Sequence, residues 1–165
     1  MSRYRPPEPK KSPYITPQGM LLLEQEQKAI WLKRREVVTA LSAAAAEGDR
    51  SENAEYIYRK KELRELDRRI RYLQKRLPDL IVVDKKPASN ERVFFGATVH
   101  LDDEKDAVQV YRIVGPDEFD REDHFISIDS PLALALLKRE LGDEVVVEVP
   151  GGKHVYLVTQ ISYET

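Results

Sequence analysis

Between residues 63 and 77 the apolar side chains fall at Leu63, Leu66, Ile70, Leu73 and Leu77. Alternating steps of three and four place them on one stripe of a helix, and Tyr56 continues that stripe one heptad upstream. So narrow a seam is buried only against a second helix. The preceding stretch supplies one. Leu23, Ile30 and Val37 recur every seven residues, and a second row, Met20, Gln27, Arg34 and Leu41, is apolar only at its ends. Thr16 followed by Pro17 marks the start of this first helix, since proline at the first helical position loses no hydrogen bond. The run AAAAEG over 43–48 thins the helix to methyl groups before a glycine suited to the left-handed position past a helix end. A connection this short forces the two helices antiparallel, in arms of roughly 45 Å at about 1.5 Å per residue.

Pro78 ends the second helix, and residues 79–92, with Pro87, Ser89, Asn90 and the short apolar patch Leu80 to Val83, read as a linker. From Val93 the periodicity changes to β-rich runs: VFFGATVHL, VQVYRIV, HFISI, EVVVEV and VYLVTQISY, the last two joined by a turn at PGGK. One helix interrupts them, capped by Asp129 or Ser130 with Pro131 next and ended by Gly142. The expectation is an α+β chain: a tail over 1–14 with too little apolar surface to order, an antiparallel coiled-coil hairpin over 15–78 with its tip at 48–56, the linker, and a small antiparallel sheet with one helix over 93–165.

Charge divides along the same line. Residues 1–77 hold 18 Lys and Arg against 11 Asp and Glu, whereas 78–165 hold 9 against 18. The basic half suits a polyanion or an acidic channel, and the acidic half is repelled by one, so the halves face different partners. The chain has no cysteine, which removes disulfides and thiolate metal sites and fits a reducing cytoplasm. No apolar run is long enough to cross a membrane.

The chemistry-bearing segment is EGDRSENAEY at 47–56. Asp49-x-x-Glu52 at a helix start has the form of a capping box, and both acids suit the positive end of a helix dipole. The following stretch, RKKELRELDRRIRYLQKR at 59–76, holds nine Lys and Arg against three Asp and Glu. A solvated helix face accounts for such a run, and so does a guide that draws the acidic tip along phosphates or an acidic wall. Few aromatics interleave it, so base stacking is not its mode.

Gly48-Asp49-Arg50-Ser51-Glu52-Asn53-Ala54-Glu55-Tyr56 resembles the tip signature G-D-x-x-E-N-A-[ED]-Y of the Gre transcript-cleavage factors. GDRSENA, RKKELRELDRRIRYL, VFFGA and ISIDSP are similar to the GreB branch rather than to GreA, and the resemblance spans residues 15–165. It implies a coiled coil inserted through the secondary channel of a bacterial RNA polymerase, with an FKBP-like C-terminal domain docked outside. It also implies that Asp49 and Glu52 help hold a weakly bound second Mg2+ and orient the attacking water, so that backtracked nascent RNA is cleaved near its 3′ end. Mg2+ takes only one or two protein carboxylates and keeps most of its waters, which suits a site half built by another protein. In two-metal cleavage one ion activates the water and the other stabilises the leaving oxygen. On this view the isolated chain is not an enzyme, holds no metal tightly and acts as a monomer. Arg59, Lys60, Lys61, Arg64, Arg68 and Arg69 are the expected contacts to RNA or the channel wall.

A channel-binding regulator that acts without cleavage, and a generic nucleic-acid-binding coiled coil, are the competing expectations. His100, His124 and His154 lack ligand spacing. PGGK lacks the spacing of a phosphate-binding loop, and an FKBP-like fold does not by itself carry isomerase activity.

Overall fold

The computed structural model describes residues 10–48 and 53–163. The chain divides into two compact units, one over Gln18–Leu80 and one comprising the N-terminal segment through Pro17 together with the chain from Ile81 onward. Among the described residues no helix is long and apolar enough to cross a membrane.

The hairpin unit is built from helix α1 (Pro17–Ala46) and helix α2 (Ala54–Arg76). Its buried positions follow the heptad: Leu23, Ile30, Val37 and Ala44 on α1, Ile70 and Leu73 on α2. Met20, Gln27, Arg34 and Leu41 are half-buried, as are Tyr56, Leu63, Leu66 and Leu77. Each fully buried aliphatic side chain contributes about 1.5–3 kcal/mol by leaving water. Ion pairs between the helices fix the antiparallel register. Arg69 donates two bonds to Glu26 (2.6 and 2.9 Å), Arg34 donates to Asp67 (2.7 Å), and Lys33 lies 3.9 Å from Glu62. The Leu77 N–H still reaches the Leu73 carbonyl, but Pro78 has no N–H to continue the ladder, and the chain tightens into a 3-10 turn over Leu77–Asp79.

The second unit carries a two-stranded parallel pair, β1 (Tyr14–Ile15) with β2 (Ile81–Val82), and a five-stranded curled sheet. The sheet contains β3 (Ala97–Asp102), β4 (Val108–Val114), β5 (Phe125–Ser127), β6 (Glu144–Val149) and β7 (Gly152–Tyr163), in the order β5-β4-β3-β7-β6. Helix α3 (Pro131–Leu136) packs Ala133 and Leu136 into a core with Val99, Leu101, Ile113, Val145, Val147, Val158 and Ile161. Alternation along β3 and β6 sends every second side chain into that core. The β3–β4 turn is held by Asp103, whose carboxylate accepts from the N–H groups of Lys105 and Ala107. Those bonds, the Ala107 one foremost, hold its pKa below the ordinary value.

Three features depart from the sequence expectation. The sheet is mixed, because β5 runs parallel to β4, the chain between them crossing over through a 3-10 turn at Phe119–Arg121. Helix α3 starts where predicted, with the Ser130 hydroxyl accepting the Ala133 N–H (3.2 Å), but it ends at Leu136 rather than at Gly142. There the chain leaves the helix to pair with an earlier segment: Lys138, at φ +68°, donates to the Val93 carbonyl (2.7 Å), and the Val93 N–H donates to Arg139 (2.9 Å). The third departure lies in the N-terminal tail, of which residues 1–9 lie outside the described residues.

Ser12 donates its N–H to Asp129 (2.9 Å) and its hydroxyl to the same carboxylate, 117 residues away. The Ile81 N–H donates to the Pro13 carbonyl and the Val83 N–H to Ile15 (2.8 and 2.9 Å), so the apolar patch of the linker forms a strand. Glu118, 1% exposed, accepts from the Thr16 N–H (2.8 Å), the Thr16 hydroxyl and the Gly115 N–H (2.9 Å). A buried carboxylate is tolerable because those donors replace its water. Gly115 is required at this spot, since a Cβ there would sit 2.1 Å from the Tyr14 carbonyl oxygen.

Candidate functional site

At the tip, α1 ends at Ala46, and Gly48 takes φ +139°, a backbone conformation that side chains disfavour. Helix α2 begins at Ala54 with Asn53 as its N-cap (φ −87°, ψ 98°). The Asn53 Oδ1 accepts the Tyr56 N–H at 3.0 Å, and its Nδ2 donates to the Ala44 carbonyl at 2.7 Å. Asp49 and Glu52, the predicted metal-binding carboxylates, lie with Arg50 and Ser51 outside the described residues. The N-cap position that the capping-box reading gave to Asp49 belongs instead to Asn53. Glu55 is the acid in the first turn of α2.

The predicted basic contacts separate into two groups. Arg59 donates to Glu55 (2.8 Å) and Glu62 (3.3 Å), and the bond to Glu55 holds its pKa above the ordinary guanidinium value. Arg69 is tied to Glu26, and its guanidinium carbon lies 5.4 Å from the centre of the Tyr72 ring. Both serve the hairpin itself. Lys60, Lys61, Arg64 and Arg68 are exposed, Lys60 with its ammonium 5.7 Å from the Tyr56 ring centre. Arg64, Arg68 and Arg71 stand at i, i+4 and i+7 and line an open groove of about 550 Å³. Trp31, Ile70, Gln74 and the Arg34–Asp67 pair complete its walls. Arg71 and Trp31 were not among the predicted contacts, although the arginine spacing is legible in the sequence. Among the described residues no group of three or more His, Asp and Glu side chains converges as a metal site.

Known proteins match across this whole arrangement. The family described as transcription elongation factor, GreA/GreB, C-term, matches residues 88–163, and the family described as transcription elongation factor, N-terminal, matches residues 13–82. A protein of Xanthomonas axonopodis pv. citri named transcription elongation factor GreB is 56% identical over 165 residues, covering 99% of this chain and 98% of that one. A Pseudomonas aeruginosa protein of the same name is 55% identical over 164 residues, with the same coverage. Among solved structures, the prokaryotic transcription elongation factor GreA/GreB from Nitrosomonas europaea shares 23% identity over 92% of this chain and 100% of that one, with a TM-score of 0.42. With both family descriptions matched in order and relatives more than half identical along nearly their full length, the chain belongs to the GreA/GreB family of transcription elongation factors, as a GreB-type member.

Proposed function

We propose that this elongation factor passes its helical hairpin into the secondary channel of a bacterial RNA polymerase and stimulates Mg2+-dependent endonucleolytic cleavage of backtracked nascent RNA, which restarts arrested complexes. The observation that carries the reading is the tip signature at 48–56, beside which Asn53 and not Asp49 is the N-cap of α2. A helix of 30 residues is about 45 Å long, which is reach enough to bring a tip deep into another protein.

Asp49 and Glu52 would supply two oxygen ligands to a Mg2+ ion held jointly with the polymerase. Mg2+ with few protein carboxylates retains most of its waters, so the donor set fits the ion. When bound, the ion supplies a water of lowered pKa and neutralises charge on the reacting phosphate. The chain's own part is to deliver the carboxylates and to hold the complex. Lys60, Lys61, Arg64 and Arg68 stand exposed along α2, in position to meet RNA phosphates or acidic channel walls. The isolated chain performs no hydrolysis, and it acts as a monomer in the cytoplasm, where its polymerase is.

The test is a stalled transcription complex incubated with Mg2+ and the protein, followed by sizing of the RNA. Shortened RNA with the wild-type chain is expected. Asp49→Asn together with Glu52→Gln should abolish the shortening while polymerase affinity survives. Binding with no cleavage by the wild-type chain would identify a channel-bound regulator instead.

A further inference from the structure

The basic run of α2 carries no aromatic between Tyr58 and Tyr72, yet the groove it lines has one. Trp31, the single tryptophan of the chain, reaches the groove from α1. It is 41% exposed, and no ring or cation among the described residues lies against its face. The seam of the hairpin is closed by smaller side chains, Ile30 and Ile70 among them, which leaves the exposed part of the indole without a packing role. Arg64, Arg68 and Arg71 climb the same groove over roughly 10 Å, at about 1.5 Å per residue. None of the three has an ion-pair partner among the described residues, and Asp67, the carboxylate in the lining, is held by Arg34 at 2.7 Å. The groove therefore presents net positive charge beside an open aromatic face.

A row of guanidinium groups alone suits phosphates and protein carboxylates equally. The tryptophan decides between them. Carboxylates give an indole face nothing to stack on, whereas every base of an unpaired strand has a π-face, and aromatic stacking beside a track of cations holds single strands whatever their sequence. The groove's volume of about 550 Å³ lies within the roughly 300–1,000 Å³ of small-ligand sites. We propose that this groove holds one nucleotide of single-stranded RNA, with its base stacked on Trp31 and its flanking phosphates on Arg64, Arg68 and Arg71. The inference rests on the reading that the hairpin works beside extruded nascent RNA, and it needs nothing from the tip.

Trp31 emission reports the site directly, because no other tryptophan contributes. With the full chain at low salt, a short oligoadenylate should quench that emission, and polyglutamate of equal charge should not. Trp31→Ala should weaken binding of an end-labelled oligoadenylate about tenfold, as the loss of one stacked base does, while Trp31→Phe keeps most of the affinity. Arg71→Ala should flatten the slope of log affinity against log salt by roughly 0.7, the share of one phosphate on a single strand. Emission unmoved by RNA, or quenched equally by polyglutamate, overturns the proposal, as does wild-type affinity in Trp31→Ala. ATP binding as tightly as the oligomer would give the groove to a free nucleotide and overturn the assignment to RNA. A stalled transcription complex run alongside separates this inference from the cleavage reading. RNA shortened there beside an unmoved emission defeats the groove alone. RNA left at full length beside a quenched emission defeats the cleavage reading and supports the groove.

Discussion

The two units hold themselves together by different means. In the sheet unit a core of fully buried aliphatic residues runs under five strands, and the one buried carboxylate described there, Glu118, has three donors around it. The hairpin has a single thin seam, with only Ile70 and Leu73 fully buried on α2, and its ion pairs are half exposed. A sheet unit so built tolerates little change at its buried positions. The hairpin spends less of its surface on stability, and its outer faces stay free to carry charge.

Gly115→Ala should be among the most damaging single changes. The added Cβ meets backbone rather than a flexible side chain, 2.1 Å from the Tyr14 oxygen, so β1 must shift and Glu118 loses its donors from Thr16. A loss upwards of about 3 kcal/mol in urea unfolding is expected, since overpacking costs about 1–3 and the buried carboxylate adds to it. A loss below about 1 kcal/mol would mean that the N-terminal segment contributes little to the unit. The two cores can then be set against each other. Leu101→Ala, at 0% exposure in the sheet unit, should cost nearer the top of the roughly 2–5 kcal/mol range for such truncations. Ile70→Ala, at 4% exposure in the seam, should cost nearer the bottom, because a two-helix seam collapses more readily around a missing side chain. Equal losses would remove the contrast.

How far the sequence exposed these differences depends on how local their causes are. The heptad residues of α1 and α2, the strand alternation, and Ser130-Pro131 at the start of α3 are set by neighbours within a turn or a strand, and each was legible. Ser12 on Asp129 and Thr16 on Glu118 join residues more than a hundred positions apart, so the described end of the stretch that reads as a tail, from residue 10, is held by partners that no local pattern reveals. The parallel pairing of β5 and the early end of α3 have the same origin, since both depend on backbone partners distant in sequence. At the tip the ambiguity was local. Asp49-x-x-Glu52 has the form of a helix start, but the cap is Asn53, whose Nδ2 also reaches the carbonyl of Ala44, a partner that only the fold brings close. Arg59 and Arg69 were counted among the expected contacts to RNA or the channel wall, and spacing alone does not reveal that both are also paired within the hairpin.

That last distinction gives the finest test, on adjacent residues of one helix within the hairpin. Arg69 donates two bonds to Glu26 across the hairpin, whereas Arg68 is exposed and, among the described residues, has no ion-pair partner. Arg69→Ala should lower stability by at most about 1 kcal/mol, the usual limit for a solvent-screened pair, with the loss shrinking as salt is added. Arg68→Ala should leave the unfolding midpoint unchanged and act on association. Affinity for the transcription complex should fall, and the slope of log affinity against log salt should flatten by about one, as when a single phosphate contact is removed. If the two substitutions exchanged these signatures, the division between charges that hold the hairpin and charges that meet its partner would be drawn on the wrong residues. If both were silent in binding, the groove beside Trp31 would not face the polymerase or its RNA.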